Sequence, residues 1–228
     1  MTEMLLSKGH RLRPGGAYPK TTITIHSTAN PHSTALGERQ WLDNPANTRQ
    51  AAWHYCVDDS NIIHAIPDDE EAWHCGSADG NRHSLSIEIC ESGNRKKAVE
   101  NAAQLTAEKA LKLGLSENEI VRHFDWSGKN CPRILIDRNY IKEGIDWKYF
   151  LERVKIYMAD MSDKAFGERF NAELNKRDGL SPSAWSADDR KWAEENRIIV
   201  GDENGMRYKA FVTREELVSM LKRTKEMM

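Results

Sequence analysis

Up to Met158 the chain alternates between two hydrophobic periods, one near 2 and one near 3.6 residues. Thr21-Thr22-Ile23-Thr24-Ile25-His26 sets Ile23 and Ile25 on one face and Thr22, Thr24 and His26 on the other, predicting a strand that delivers His26 at its C-terminal end. Residues 53–57 (Trp-His-Tyr-Cys-Val) and 62–66 (Ile-Ile-His-Ala-Ile) flank the turn-rich Asp58-Asp59-Ser60-Asn61 and predict a hairpin. Leu85-Ser86-Ile87-Glu88-Ile89-Cys90 alternates again, with Ser86, Glu88 and Cys90 on the polar face. Helices are predicted over 34–44 and over 96–113, where Val99, Ala102, Ala103, Ala107, Ala110 and Leu111 follow helical spacing and Gly114 supplies the stop. Ile120-Val121 predicts a short strand leading into His123. Trp147, Phe150, Leu151, Val154, Tyr157 and Met158 predict a closing amphipathic helix. Strands interleaved with helices imply an α/β fold, a central mixed β-sheet flanked by helices.

Beyond Met158 the pattern changes. Ser162 and Asp163 read as a hinge, and residues 179–183 (Gly-Leu-Ser-Pro-Ser) as a loop. Thr213-Arg214-Glu215-Glu216 is a capping box opening a helix with Leu217, Val218 and Leu221 inside. The expected organisation is one domain over 1–158 and a small, mainly helical domain over 159–228.

Charge does not separate these parts. The chain carries 33 Lys and Arg against 35 Asp and Glu, so no global basic field draws it to nucleic acid. No apolar run approaches the roughly 20 residues of a bilayer span. Met4-Leu5-Leu6 is too short for a signal-peptide core, so the expectation is a chain made in the cytosol without a leader. Chemistry does separate them: all 8 His and all 4 Cys lie between His10 and Cys131. In a reducing cytosol such cysteines serve as buried hydrophobes or metal ligands more often than as disulfides. The first reading is taken for Cys56, Cys75 and Cys90.

Three features could carry chemistry: His26 ending a strand, Glu88 on a polar strand face, and the run from Arg122 to Pro132. His123 and Cys131 are separated by a turn, Ser127-Gly128-Lys129-Asn130, that can fold the thiolate back toward the imidazole. With His26 they would form a two-His, one-Cys site of the kind zinc accepts, leaving a fourth position open. Eight His and four Cys allow many such triples, and spacing alone does not choose among them.

Five blocks, taken in order, resemble the zinc-dependent N-acetylmuramoyl-L-alanine amidases of the phage-lysozyme and peptidoglycan-recognition-protein superfamily. They are Ile25-His26-Ser27-Thr28, Trp53 through Asp59, Ala72-Trp73-His74-Cys75-Gly76, Ser84 through Cys90, and His123-Phe124-Asp125 through Lys129-Asn130-Cys131-Pro132. The resemblance covers most of 18–158. It implies one zinc per chain on His26, His123 and Cys131, with Glu88 as the carboxylate beside the metal and Lys129 as an oxyanion donor. It also implies Trp73 and His74 along the substrate groove. In that reading zinc generates the nucleophile from water and Glu88 shuttles the proton to the departing L-alanine amine. Lys129 then stabilises the oxyanion, a role typically worth about 3–4 kcal/mol. Some relatives carry a tyrosine where this chain has Trp53; Tyr55, one pleat further along, is expected on the same strand face. His54 is read as either a partner behind the site or a core histidine, and the acidic runs 58–59 and 68–71 as solvated turns.

Residues 192–202 and 212–223 are similar to one S-layer-homology-like repeat, which implies binding to cell-wall polymer. Trp185, Trp192, Tyr208 and Phe211 are suited to a small core or to stacking on sugar rings, and a module this small could also pair into a homodimer. The expectation is an endolysin acting on the wall after release. The alternatives are a non-catalytic peptidoglycan-binding protein and an intracellular muropeptide-recycling amidase.

Overall fold

The computed structural model describes residues 1–178, 180–200, 206 and 214–226. Its contacts divide the chain into two compact units, Met1–Met161 and Ser162–Met228. The first holds, in chain order, β1 (Thr2–Glu3), β2 (Thr22–Ser27), α1 (Ala35–Asp43), β3 (Tyr55–Val57), β4 (Ile62–His64), α2 (Ala78–His83) and β5 (Ser84–Ile89). It continues with α3 (Arg95–Leu113), β6 (Ile120–Arg122), α4 (His123–Ser127), α5 (Arg133–Ile136) and the start of α6 (Trp147–Asp178). The strands form one sheet in the order β1-β4-β3-β5-β2-β6. Only the β3–β4 hairpin is antiparallel, so the sheet is mixed, as the interleaved pattern predicted.

Both sheet faces are covered. Ile23, Ile25, Ile87, Ile89, Tyr55 and Val57 pack against α3 and against Phe150 and Val154 of α6. The buried face of α3 is built on Ala98, Ala102, Ala103, Ala107 and Ala110, small side chains that let the helix lie close to the sheet. On the other face Cys56, Ile63 and Cys90 pack with Ala35 and Leu42 of α1, with Leu6 and Leu12, and with Trp53. Fully burying a Leu, Ile or Val side chain is worth about 1.5–3 kcal/mol, so these two clusters rather than local propensity fix the layers. Helix ends follow local chemistry: Thr34 Oγ1 accepts the Gly37 N–H at 3.1 Å, and Gly114 takes a left-handed φ of 70° after α3.

Some expectations are refined and others corrected. The change expected at Ser162 and Asp163 coincides with the division between the two units, but it falls inside α6 (Trp147–Asp178) rather than at a break in secondary structure. Both residues are polar and face solvent, and neither breaks helical hydrogen bonding as a proline would. The short strand expected to lead into His123 is present as β6; His123 itself opens α4, where the Asp125 carboxylate accepts the Arg122 N–H at 2.7 Å. Trp53 and Tyr55 do not share a face: Trp53 lies before β3 and packs with Cys56, whereas Tyr55 sits in the opposite cluster. The Tyr55 hydroxyl donates to Asp68, and its ring stacks on His64 with centroids 4.4 Å apart. The acidic runs are not simply solvated turns. Asp58 is buried and its Oδ2 accepts the Ala35 N–H at 2.9 Å, one of the otherwise open donors that begin α1. Glu70 is bound by Arg13, and Asp68 by Lys109 at 3.0 Å as well as by Tyr55.

The second unit is helical where it is described. It holds the end of α6, a short 3-10 turn over Ala184–Ser186, α7 (Ala187–Glu195) and α8 (Arg214–Glu226). Ala193 and Ile198 are buried, whereas Trp185 is 83% and Trp192 54% exposed. Phe166 and Phe170, one helical turn apart, stack at 6.0 Å and remain exposed. Gly179, Tyr208, Phe211 and Thr213 lie outside the described residues, as do residues 201–202 of the first S-layer-like segment and 212–213 of the second.

Candidate metal centre and groove

Parallel strands β5, β2 and β6 end together, and loops beyond that edge of an open α/β sheet commonly build binding sites. His26 pairs with Glu88 across β2 and β5, so the sheet register sets imidazole and carboxylate side by side. His123 follows directly on β6 as the first residue of α4. Gly128, with φ of 71°, ends α4, and the Phe124 N–H donates to the Cys131 carbonyl at 2.9 Å. That bond folds Cys131 back toward His123, the loop expected from the sequence.

His26, His123 and Cys131 are all buried, with their ligand atoms within 4.8 Å of one another. The two Nδ1 atoms lie 3.0 Å apart, and Cys131 Sγ is 3.8 Å from His26 Nδ1. Tetrahedral zinc with ordinary bond lengths separates two nitrogen ligands by roughly 3.3 Å and nitrogen from sulfur by roughly 3.6 Å. The donor set and its spacing therefore fit such an ion. Burial, reinforced by His74 and His123, holds the His26 pKa well below the usual imidazole range, and burial together with Lys129 pushes His123 down to about 4. Both rings are thus neutral near pH 7, the form that coordinates metal. Burial, and then the Glu88 charge, pushes the Cys131 thiol up to about 12; a thiolate there requires a cation beside it.

His26 Nε2 lies 3.0 Å from His74 Nδ1. With Nε2–H donated to His74, the His26 Nδ1 lone pair is directed at the cluster. Glu88 Oε1 is 3.9 Å from His26 Nδ1, and Oε2 is buried with no hydrogen-bond partner among the described residues. Burial, and next the charge of Glu38, raises the Glu88 carboxyl to about 8 against the opposing pull of Lys129. A carboxylate left this poorly solvated suits proton transfer or a neighbouring cation.

These groups open onto a cavity of about 620 Å³ whose lining includes Glu88, His123, Cys131, Lys129, Trp73 and His74. The structure thus brings together every site residue singled out in the sequence; only His26 is sealed beneath the floor. His54 is a core histidine, its Nδ1 accepting the Ser86 N–H at 3.0 Å and its Nε2 donating to the Glu70 carbonyl at 2.9 Å. Tyr55 does not line the cavity. The sequence reading missed Asn30, Glu38, Trp41 and Arg49, which also form its walls. The available signal was Glu38 and Trp41, three residues apart and hence on one face of the helix predicted over 34–44.

Comparison with known proteins gives a consistent picture. The family model described as N-acetylmuramoyl-L-alanine amidase matches residues 16–134, a span that contains the whole cluster. The chain is 40% identical over 152 residues to the N-acetylmuramoyl-L-alanine amidase CwlH of Bacillus subtilis (strain 168), covering 62% of this chain and 56% of that protein. It is 41% identical over 138 residues to XlyA of the same organism, covering 57% and 45%. The solved structure of the XlyA catalytic domain superposes with a TM-score of 0.60 at 34% identity, covering 68% of this chain and 99% of that one. The chain spans about half the length of the curated relatives it matches.

Proposed function

Because the chain belongs to the N-acetylmuramoyl-L-alanine amidase family, we propose that it hydrolyses the amide bond between the lactyl group of N-acetylmuramic acid and L-alanine in peptidoglycan, as an endolysin-type enzyme with zinc on His26, His123 and Cys131. The observation that carries this reading is the convergence of three buried ligand atoms within 4.8 Å at the floor of the groove, with Glu88 alongside. Zinc, when bound, supplies Lewis acidity toward the scissile carbonyl and lowers the pKa of water to about 7. Glu88 accepts the proton of the attacking water on its free carboxylate oxygen and passes it to the departing amine. Lys129, exposed on the groove wall, donates from Nζ to the carbonyl oxygen as negative charge builds there. His74 holds His26 in the Nδ1-binding tautomer and lines the groove with Trp73, Trp41 and Trp53, whose ring faces suit a glycopeptide.

Digestion of purified peptidoglycan tests the reaction class. New L-alanine amino termini and free lactyl carboxylates are expected, released only by zinc-loaded protein. New reducing sugar ends, or new amino termini elsewhere in the stem peptide, would contradict it.

The second unit is assigned to wall binding, supported by its exposed Trp185 and Trp192 and by the S-layer-like pattern of its sequence. Among the described residues no helix is long and apolar enough to cross a membrane, and the protein is taken to act on the wall after release. Tethering raises local substrate concentration without altering the chemistry. A chain ending at Met161 keeps Tyr157, Met158 and Met161 on the first core. It should cleave soluble muropeptides at near the full rate but lyse intact walls far less at low enzyme concentration. Equal sedimentation of the short and full chains with walls would reject the wall-binding role. A homodimer lost on truncation would instead assign the unit to pairing.

A further inference from the structure

The Glu91 carboxylate lies two residues beyond β5, only 2% exposed, and touches none of the three ligand side chains. It binds both segments that carry metal ligands outward from the sheet. One oxygen, Oε1, accepts the Ala29 N–H at 3.0 Å, three residues after His26. The Arg133 guanidinium, two residues after Cys131, closes on the same carboxylate through Nε at 3.0 and 3.1 Å and Nη2 at 2.6 Å. The Glu91 N–H donates to Ser33 Oγ at 3.0 Å, fixing the far end of the loop that follows His26. Ala29 has a φ of 54°, a left-handed backbone that non-glycine residues adopt only when their surroundings hold them there. Arg133 is held in turn by the Tyr140 ring, 4.2 Å from its guanidinium carbon.

From this geometry we infer that Glu91 is a positioning residue for the metal centre, a buried clasp joining the segment after His26 to the segment after Cys131 so that the two ligands meet at a fixed separation. The inference rests on the zinc reading of the site. Supporting groups that do not touch the ion commonly change metal affinity 10–100-fold when lost. A planar, two-point Arg–carboxylate pair is suited to fixing such geometry, and lysine does not reproduce it.

The test uses the full chain as wild type, Glu91→Gln, Arg133→Lys and a control, Glu100→Gln. Glu100 is also an ion-paired, partly buried carboxylate, held by Arg153 at 2.8 Å and by Tyr149 and Tyr157, but it joins α3 to α6 away from the groove. Zinc affinity is measured by competition with a chromophoric chelator, cobalt substitution reports ligand geometry by visible absorption, and thermal melting reports stability. Glu91→Gln and Arg133→Lys should bind zinc about 10–100-fold more weakly and shift the cobalt spectrum, while Glu100→Gln melts earlier but binds as wild type does. Unchanged zinc affinity and cobalt spectrum in folded Glu91→Gln would overturn the inference. Should that variant fail to fold, the same readings on Arg133→Lys decide in the same way. A wild-type chain that binds no zinc would overturn the metal reading itself, and this inference with it.

Discussion

Glu88→Gln should retain zinc and fold yet lose about 10²–10⁴-fold in turnover, the usual contribution of a positioned general acid–base group. The amide matches the carboxylate in shape but cannot take a proton from water or return one to the leaving amine. Glu88 is placed for that exchange by β5 pairing, with Oε1 3.9 Å from His26 Nδ1 and Oε2 without a partner among the described residues. Burial and the Glu38 charge already hold its carboxyl far above the ordinary range, at about 8. With its carboxyl largely protonated near pH 7 when no cation sits beside it, a neutral amide replaces it without removing a stabilising charge, so the fold is kept. Initial rates on purified walls, read beside zinc content and circular dichroism, check the result. A loss below about tenfold in a folded, zinc-loaded variant would remove Glu88 from the chemistry.

Elements whose apolar residues recur at a clean period were legible in the sequence. Ile23 and Ile25, and Leu85, Ile87 and Ile89, mark β2 and β5 because one face of each strand lies against α3 and α6. Gly114 marks the end of α3 because only its left-handed backbone allows that stop at low cost. Elements set by tertiary contacts were not legible. β1 is two residues long and is held only by pairing with β4, and α2 and α5 run for six and four residues with no room for a helical period. The position where the two units divide was legible at Ser162 and Asp163, but not that it lies within α6, because both residues are turn-prone by type and yet are tolerated in helix.

At the site, the identities of His26, Glu88, His123, Lys129 and Cys131 came from ordered motif blocks, and spacing explained only why His123 and Cys131 could meet. What the motifs could not convey was depth. His74 stood among substrate-contacting residues, but its Nδ1 meets His26 at 3.0 Å. Tyr55 lay two residues from Trp53, yet packing sent the two rings into different clusters. The second wall of the groove comes from α1 and from the loop after β2, whose approach to the site depends on contacts such as Glu91 with Ala29, far apart in sequence.

The central claim is that one zinc is held by two imidazoles and one thiolate, and Cys131→Ser set beside Cys56→Ser tests it most directly. Cys131 Sγ faces His26 Nδ1 at 3.8 Å, whereas Cys56 Sγ meets Cys90 Sγ at 3.4 Å inside the apolar cluster on the α1 face of the sheet. A serine hydroxyl is a poor substitute for thiolate on zinc, so the first variant loses a ligand and the second only reshapes packing. Elemental analysis of the three proteins, each confirmed folded, should show about one zinc per chain in wild type and in Cys56→Ser, and little in Cys131→Ser, with hydrolysis falling in step. Equal zinc retention in the two variants would contradict the account.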